Sequence, residues 1–200
     1  MMSGVTLGDA VSQYRTALQQ ALDRLSLDMV QAVAREILAA YDRGGRVYIF
    51  GNGGSASTAS HMACDLAKNT AVAGLPRLRT QALTDNMALF SALANDDGYE
   101  AVFAEQLLLA PIARDDLAIA ISGSGNSPNV LAGIAAAVGA GARTAALTGM
   151  GGGRLAPLVD VALVAPSDAM EIIEDVHLMV NHAVTSAVRT VLQSRVAVVA

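Results

Sequence analysis

The chain has no tryptophan, one cysteine, and aromatic side chains at only 4% of its 200 residues. A lone thiol cannot close a disulfide within the chain, so stability must come from packing, and such sparing use of cysteine suits a reducing compartment. Cys64 itself is expected to pack inside a helix. Charge is scarce as well: Asp, Glu, Lys and Arg make up 16% of the residues, well below the usual quarter. With 13 basic residues against 18 acidic ones, a formal charge of -5 and no cluster of Lys or Arg, nucleic acid is not expected as a direct ligand. No uninterrupted apolar run of about 18 residues occurs, and no basic stretch precedes an apolar one near Met1. A soluble, cytoplasmic protein without membrane contact is therefore expected. A hydrophobic fraction of 53% beside so little charge implies surface hidden between subunits, although alanine inflates that fraction.

What is present is an alternation of apolar runs and glycine-rich breaks. Helical spacing of apolar residues covers Leu7 to Leu25 and Ser26 to Tyr41, after a loose lead-in over residues 1 to 7. Short β-rich runs follow at Arg46–Phe50, Thr80–Leu83, Ala118–Ile121, Arg143–Leu147 and Val161–Val164. Helical segments separate them: about Ser57–Asn69, a segment opened by Asp85, Tyr99–Leu109 after a polar break at Ala94–Gly98, Pro128–Val138, a short turn at Leu155–Leu158, and a long helix over Ala169–Leu192. Strands separated by helices imply an α/β fold, with a parallel sheet covered by helices on both faces.

Two of the breaks share one chemistry. Gly51-Asn52-Gly53-Gly54-Ser55 lies between the first strand and the next helix, which Ser55 and Ser57 can cap. Ser122-Gly123-Ser124-Gly125-Asn126-Ser127 stands in the same relation to the third strand and the helix opened by Pro128. Glycine amides, hydroxyls and a helix start together suit phosphate oxygens. A serine- and glycine-rich structural turn uses the same residues, so either loop alone decides little. In such folds ligands lie beyond the carboxyl ends of the strands, where both loops fall. His61 and Asp65, four apart, share a helix face roughly 6 Å apart at Cβ, and can serve as an acid/base pair, metal ligands or a surface pair. The last helix carries Glu171, Glu174, Asp175, His177 and His182 among apolar residues, which is costly unless they face solvent or a pocket. Glu174 is about 80° from His182 around that helix, and His177 is expected to be a packing or hydrogen-bonded histidine.

On Gly51 to Ser55, His61, Asp65, Ala94-Asn95-Asp96, Ser122 to Ser127 and Glu174 to His182, the chain resembles the sugar isomerase (SIS) domain family, and within it the phosphoheptose isomerases. The resemblance covers nearly the whole length. It implies a three-layer sandwich around a five-stranded parallel sheet. Residues 1–200 would form a single SIS domain, with 1–43 as an N-terminal helical extension. It further implies a homotetramer with sites near subunit interfaces and a phosphorylated sugar as substrate. Ser55, Ser122, Ser124 and Ser127 would surround the phosphate with Gly54 and Gly123 in the same loops, while Asn52, Gly53, Asn95 and Asp96 would meet sugar hydroxyls. His61, Asp65, Glu174 and His182 would form a metal and catalytic cluster able to hold zinc, with Asp65 as base, His182 as its partner, and Asp65 and Glu174 also facing substrate.

The chain departs from the family pattern at four positions. Asp65 stands where glutamate is usual, Glu174 where glutamine is usual, Gly123 where threonine is usual, and Asn69 where arginine is usual. A hydroxyl donor and a substrate-facing cation are thereby missing. The expected reaction is aldose–ketose isomerisation through an enediol, of sedoheptulose 7-phosphate to a heptose 7-phosphate. The alternatives are an octulose or hexose phosphate as substrate, or a non-catalytic relative that binds the replication initiator or senses phosphosugars.

Overall fold

In a computed structural model, which describes residues 5–197, the strands β1 (Arg46–Gly51), β2 (Arg79–Ala82), β3 (Leu117–Ser122), β4 (Arg143–Thr148) and β5 (Val161–Val164) form one sheet. Its order is β2-β1-β3-β4-β5 and every pairing is parallel. Side chains alternate across the strands. Val47, Ile49, Ile119, Ile121 and Leu147 enter one core, while Tyr48, Phe50, Ala118, Ala120 and Ala146 enter a second on the opposite face. That double burial explains why the central strands read as continuous apolar runs.

The first core is closed by α1 (Leu7–Arg24), α2 (Leu27–Asp42), α3 (Gly54–Asn69) and α7 (Met170–Ala197). The second is closed by α4 (Met87–Asp96), α5 (Val102–Leu109) and α6 (Pro128–Gly139). This is the expected three-layer arrangement with two leading helices. Large side chains such as Ile37, Met62, Leu66, Phe103 and Leu107 are fully buried, each contributing about 1.5–3 kcal/mol. The helix α2 lies on the sheet through Val33, Ile37 and Ala40, whereas α1 buries Ala21 alone. It begins with a capping box between Thr6 and Asp9. Its Tyr14 hydroxyl ties it to α7, donating to the Asp175 carboxylate at 2.7 Å; this bond pushes the Tyr14 phenol up to about 12.

Several boundaries differ from the sequence expectation for local reasons. The helix after β1 starts at Gly54, not Ser57, because Gly53 occupies the cap position with φ 55° and no side chain caps it. Ser55 and Ser57 are thus inside the helix. Asn86 caps α4 through Leu89, while Asp85 takes the Ser60 hydroxyl. The polar residues Asn95 and Asp96 finish α4 instead of forming the break after it, and α5 begins only at Val102, not Tyr99. Cys64 is exposed on α3 instead of packed inside. Of the lead-in, residues 1–4 lie outside the described residues.

Sheet order decides where a ligand site can form. The helices that follow β1 and β3 lie on opposite faces of the sheet, so the carboxyl ends of these adjacent strands diverge into a crevice. Among the described residues, no helix is long and apolar enough to cross a membrane.

Candidate active site

The crevice is a pocket of about 280 Å³ lined by Asn52, Gly53, Gly54 and Ser55 from the β1–α3 turn, and by Ile121, Ser122, Gly123, Ser124 and Ser127 from the end of β3 and the loop beyond it. Met170 and Glu174 of α7 complete it. Close approach dictates the glycines: a Cβ on Gly51 would meet the Ile121 carbonyl oxygen and the Ser55 side chain. The turn therefore lies directly on β3. Hydroxyls of Ser122 and Ser127 are 3.4 Å apart, and Ser124 Oγ accepts from the Asn126 amide. The start of α3 adds the partial positive charge of a helix N-terminus. Neutral donors thus make up most of this wall, and among the described residues no lysine or arginine lines it.

Two contacts modify that wall. A Cβ on Gly123 would collide with Met170 Sδ, and one on Gly54 would collide with the Glu174 carboxylate. The thioether fills the space that a side chain at position 123 would take, and an acid rests on the glycine turn. Asn52 is held from behind by paired amides: its Nδ2 donates to Asn129 Oδ1 and its Oδ1 accepts from Asn129 Nδ2, both at 2.9 Å. The Tyr99 hydroxyl donates to the same Oδ1 at 2.9 Å. Tyr99, expected within a helix, instead braces the glycine turn.

Beyond the pocket, α3 and α7 bring a second group together. His61 Nε2 is 3.3 Å from Asp65 Oδ2, and His182 Nε2 is 3.8 Å from the same oxygen. The imidazole rings meet edge to face with centroids 5.0 Å apart. Both histidines are about half-exposed and Asp65 is nearly buried. Donor atoms of His61, Asp65 and His182 all lie within 4.8 Å of one another. Two zinc bonds of about 2.0–2.1 Å at a tetrahedral angle separate their donors by about 3.4 Å, so two imidazoles and a carboxylate at these spacings fit a divalent metal with an open position. Glu174 stands apart from this group. Eight residues of helix set it about 12 Å along the axis from His182, and it belongs to the serine–glycine pocket instead of making a fourth member.

The other sequence candidates divide similarly. His177 is buried, and its Nε2–H donates to the Thr148 carbonyl at the end of β4. Burial pushes it down to about 4, against the smaller upward pull of that bond, so it is neutral and structural, as expected. Asn95 and Asp96 bond to each other at 2.7 Å on exposed α4 and do not line the pocket. Asp175 faces α1, where its carboxylate and the Glu171 backbone carbonyl accept from the Tyr14 hydroxyl. Sequence inspection missed Met170, Asn129, Tyr99 and Asn181. Of these, only Asn129 carried a usable signal, as a polar residue immediately inside a helix opened by Pro128.

Residues 12–149 match the SIS domain family, and the chain belongs to it. Relatives within that family have a more particular identity. A phosphoheptose isomerase from Solidesulfovibrio magneticus is 41% identical over 155 residues, covering 78% of this chain and 74% of the relative. One from Helicobacter pylori (strain P12) is 37% identical over 169 residues, covering 84% and 86%. The solved structure of the Neisseria gonorrhoeae phosphoheptose isomerase superposes with a TM-score of 0.85 at 28% identity, covering 92% of this chain and all of the other.

Proposed function

We propose that the protein is an aldose–ketose isomerase of sugar phosphates, interconverting sedoheptulose 7-phosphate and a heptose 7-phosphate. The observation that carries this reading is that two unlike subsites share α3 and α7: a hydroxyl-rich pocket at the β1 and β3 ends, with Glu174 in its lining, and an ionisable His61–Asp65–His182 group further along those helices. The likeness to phosphoheptose isomerases over most of both chains supports the substrate.

In this scheme the serine–glycine loops hold the phosphate, and Asn52 and Glu174 meet hydroxyls along the chain. Binding there positions the far end of the sugar for reaction. Asp65 removes a proton from C1 of the ketose, and the electron pair forms the C1–C2 double bond while His182 supplies a proton to the C2 oxygen. The enediol then takes the first proton back at C2, and the C1 hydroxyl proton leaves to His182 as the C1 carbonyl forms. No oxidant or reductant is needed. His61, Asp65 and His182 would hold a divalent ion, zinc by ligand type, through one atom each, and it would polarise the carbonyl oxygen, with the proton carried by the Asp65 and His182 atoms that do not ligate it. Residues 1–200 act as one SIS unit with 1–43 as its helical extension. Exposed Val5, Leu7 and Val11 on and before α1 favour homotetramer assembly with sites near the subunit interfaces, in the cytoplasm.

The test is incubation of purified, zinc-supplied protein with sedoheptulose 7-phosphate, followed by separation of aldose from ketose phosphate. Turnover is expected. A folded, metal-bound protein that turns over only an octulose or hexose phosphate in a parallel panel would move the substrate, an outcome that the Met170 thioether over Gly123 makes worth including. Binding without turnover of any member would leave a phosphosugar sensor.

A further inference from the structure

Asp65 is held from two sides by amides that belong to neither subsite. Asn69, one turn further along α3, donates from Nδ2 to Asp65 Oδ1 at 2.9 Å. Asn181 of α7 donates from Nδ2 to Asp65 Oδ2 at 3.3 Å, the oxygen that faces both imidazoles. Asn181 is fully buried, on a helix whose neighbouring core positions are Val180, Val184 and Val188. A buried amide without partners costs stability, so this residue is expensive unless its hydrogen bonds are needed. An ionised carboxylate only accepts, which forces the NH2 end of Asn181 toward Asp65 and turns its carbonyl oxygen away. That oxygen accepts the hydroxyl of Thr185 at 3.4 Å, and Thr185 is buried one turn further along α7. The chain of bonds therefore runs Thr185, Asn181, Asp65, Asn69, and each amide has one orientation that satisfies it.

We infer that Asn181, backed by Thr185 and assisted by Asn69, is a positioning residue that fixes the Asp65 side chain with Oδ2 between His61 and His182. An aspartate can rotate about its terminal bond; amides on both oxygens remove that freedom, and the rotation they select presents one oxygen to both imidazoles. The inference rests on the reading of Asp65 as the reacting and metal-holding carboxylate. Partners of this kind fix ligand orientation, and losing one typically costs 10–100-fold in metal affinity or activity.

The experiment compares wild type with Asn181→Leu, Asn69→Ala and Thr185→Val. Zinc affinity is measured by competition with a chromophoric chelator, kcat and KM on the sugar phosphate that wild type turns over, and Asp65 orientation by crystallography. Asn69 is exposed and Thr185→Val keeps its shape, so these two variants remain informative if Asn181→Leu does not fold. Zinc affinity and kcat are expected to fall about 10–100-fold in Asn181→Leu and less in the other two, with KM within about twofold and Asp65 rotated. Unchanged zinc affinity and kcat in the folded variants, or Asp65 keeping its orientation in them, would overturn the inference. A wild type that binds no zinc or turns over no sugar phosphate counts against the proposed function alone, because the crystallographic comparison still decides whether the amides orient Asp65.

Discussion

The serine–glycine pocket and the His61–Asp65–His182 group share α3 and α7 about two helical turns apart, yet they are built by different means. The pocket comes mainly from chain-local geometry: two turns, each leaving a parallel strand, supply its amides and hydroxyls, and α7 adds only Met170 and Glu174. The ionisable group comes from a helix crossing, with α3 supplying two members and the distant α7 one. Recognition by neutral donors needs only a turn and a sheet. Proton transfer needs groups whose charge can change, and His182 joins the His61–Asp65 pair only when α7 packs on α3.

That contrast can be broken most severely on the helix side. Asp65→Asn, which keeps shape and removes the negative charge, is expected to lower kcat about 10²–10⁴-fold while leaving KM and the circular dichroism spectrum near wild type; His182→Gln should act in the same direction. A rise in KM with kcat unchanged would assign Asp65 to binding instead.

A second test addresses what couples the helix side to the sheet. His177 is pinned to Thr148 of β4 and held down to about 4 by burial, against about 6.5 in the unfolded chain. The folded state thus refuses a proton that the unfolded state accepts. The stability associated with neutral His177 is complete above pH 6.5 and is lost as pH falls toward 4, amounting to about 3 kcal/mol. Urea unfolding of wild type and His177→Gln across this window should show a shallower acid loss in the variant; parallel curves would mean that His177 is protonated in the fold.

The smallest expected effect lies in the pocket. Gly123→Thr places a Cβ on Met170 Sδ and should raise KM about tenfold, the scale of an overpacked contact, with kcat nearly unchanged. Adding Met170→Ala should restore most of it. A Gly123→Thr enzyme with wild-type KM would show that the thioether moves aside freely.

The same contrast accounts for what the sequence could convey. Both serine–glycine loops were legible because each is a contiguous segment between a β-branched run and a helical one. His61 and Asp65 were legible as a pair because helical spacing places i and i+4 together. Their meeting with His182 was legible only through resemblance, since periodicity on α7 does not say how α7 is rotated against α3. Glu174, assigned by resemblance both to the metal cluster and to the substrate wall, is found in the lining of the serine–glycine pocket and outside the His61–Asp65–His182 group. Asn69, taken as the loss of a substrate-facing cation, has its amide turned onto Asp65. The empty side chain at Gly123 was visible in the sequence, but its replacement by Met170 was not, because the two residues meet only across the folded crevice. Asn181 gave no sign, as an asparagine in an apolar helix looks alike whether it faces water or a carboxylate.

One unbroken helix carries both Glu174, which rests on the glycine turn, and His182, which joins the imidazole pair. Such a rod fixes the axial interval between the two backbone positions at about 12 Å, leaving only rotamers to adjust the distance between the side chains. On the proposed function, a sugar phosphate reaching from the glycine turn to the imidazole pair would have to span that fixed backbone interval.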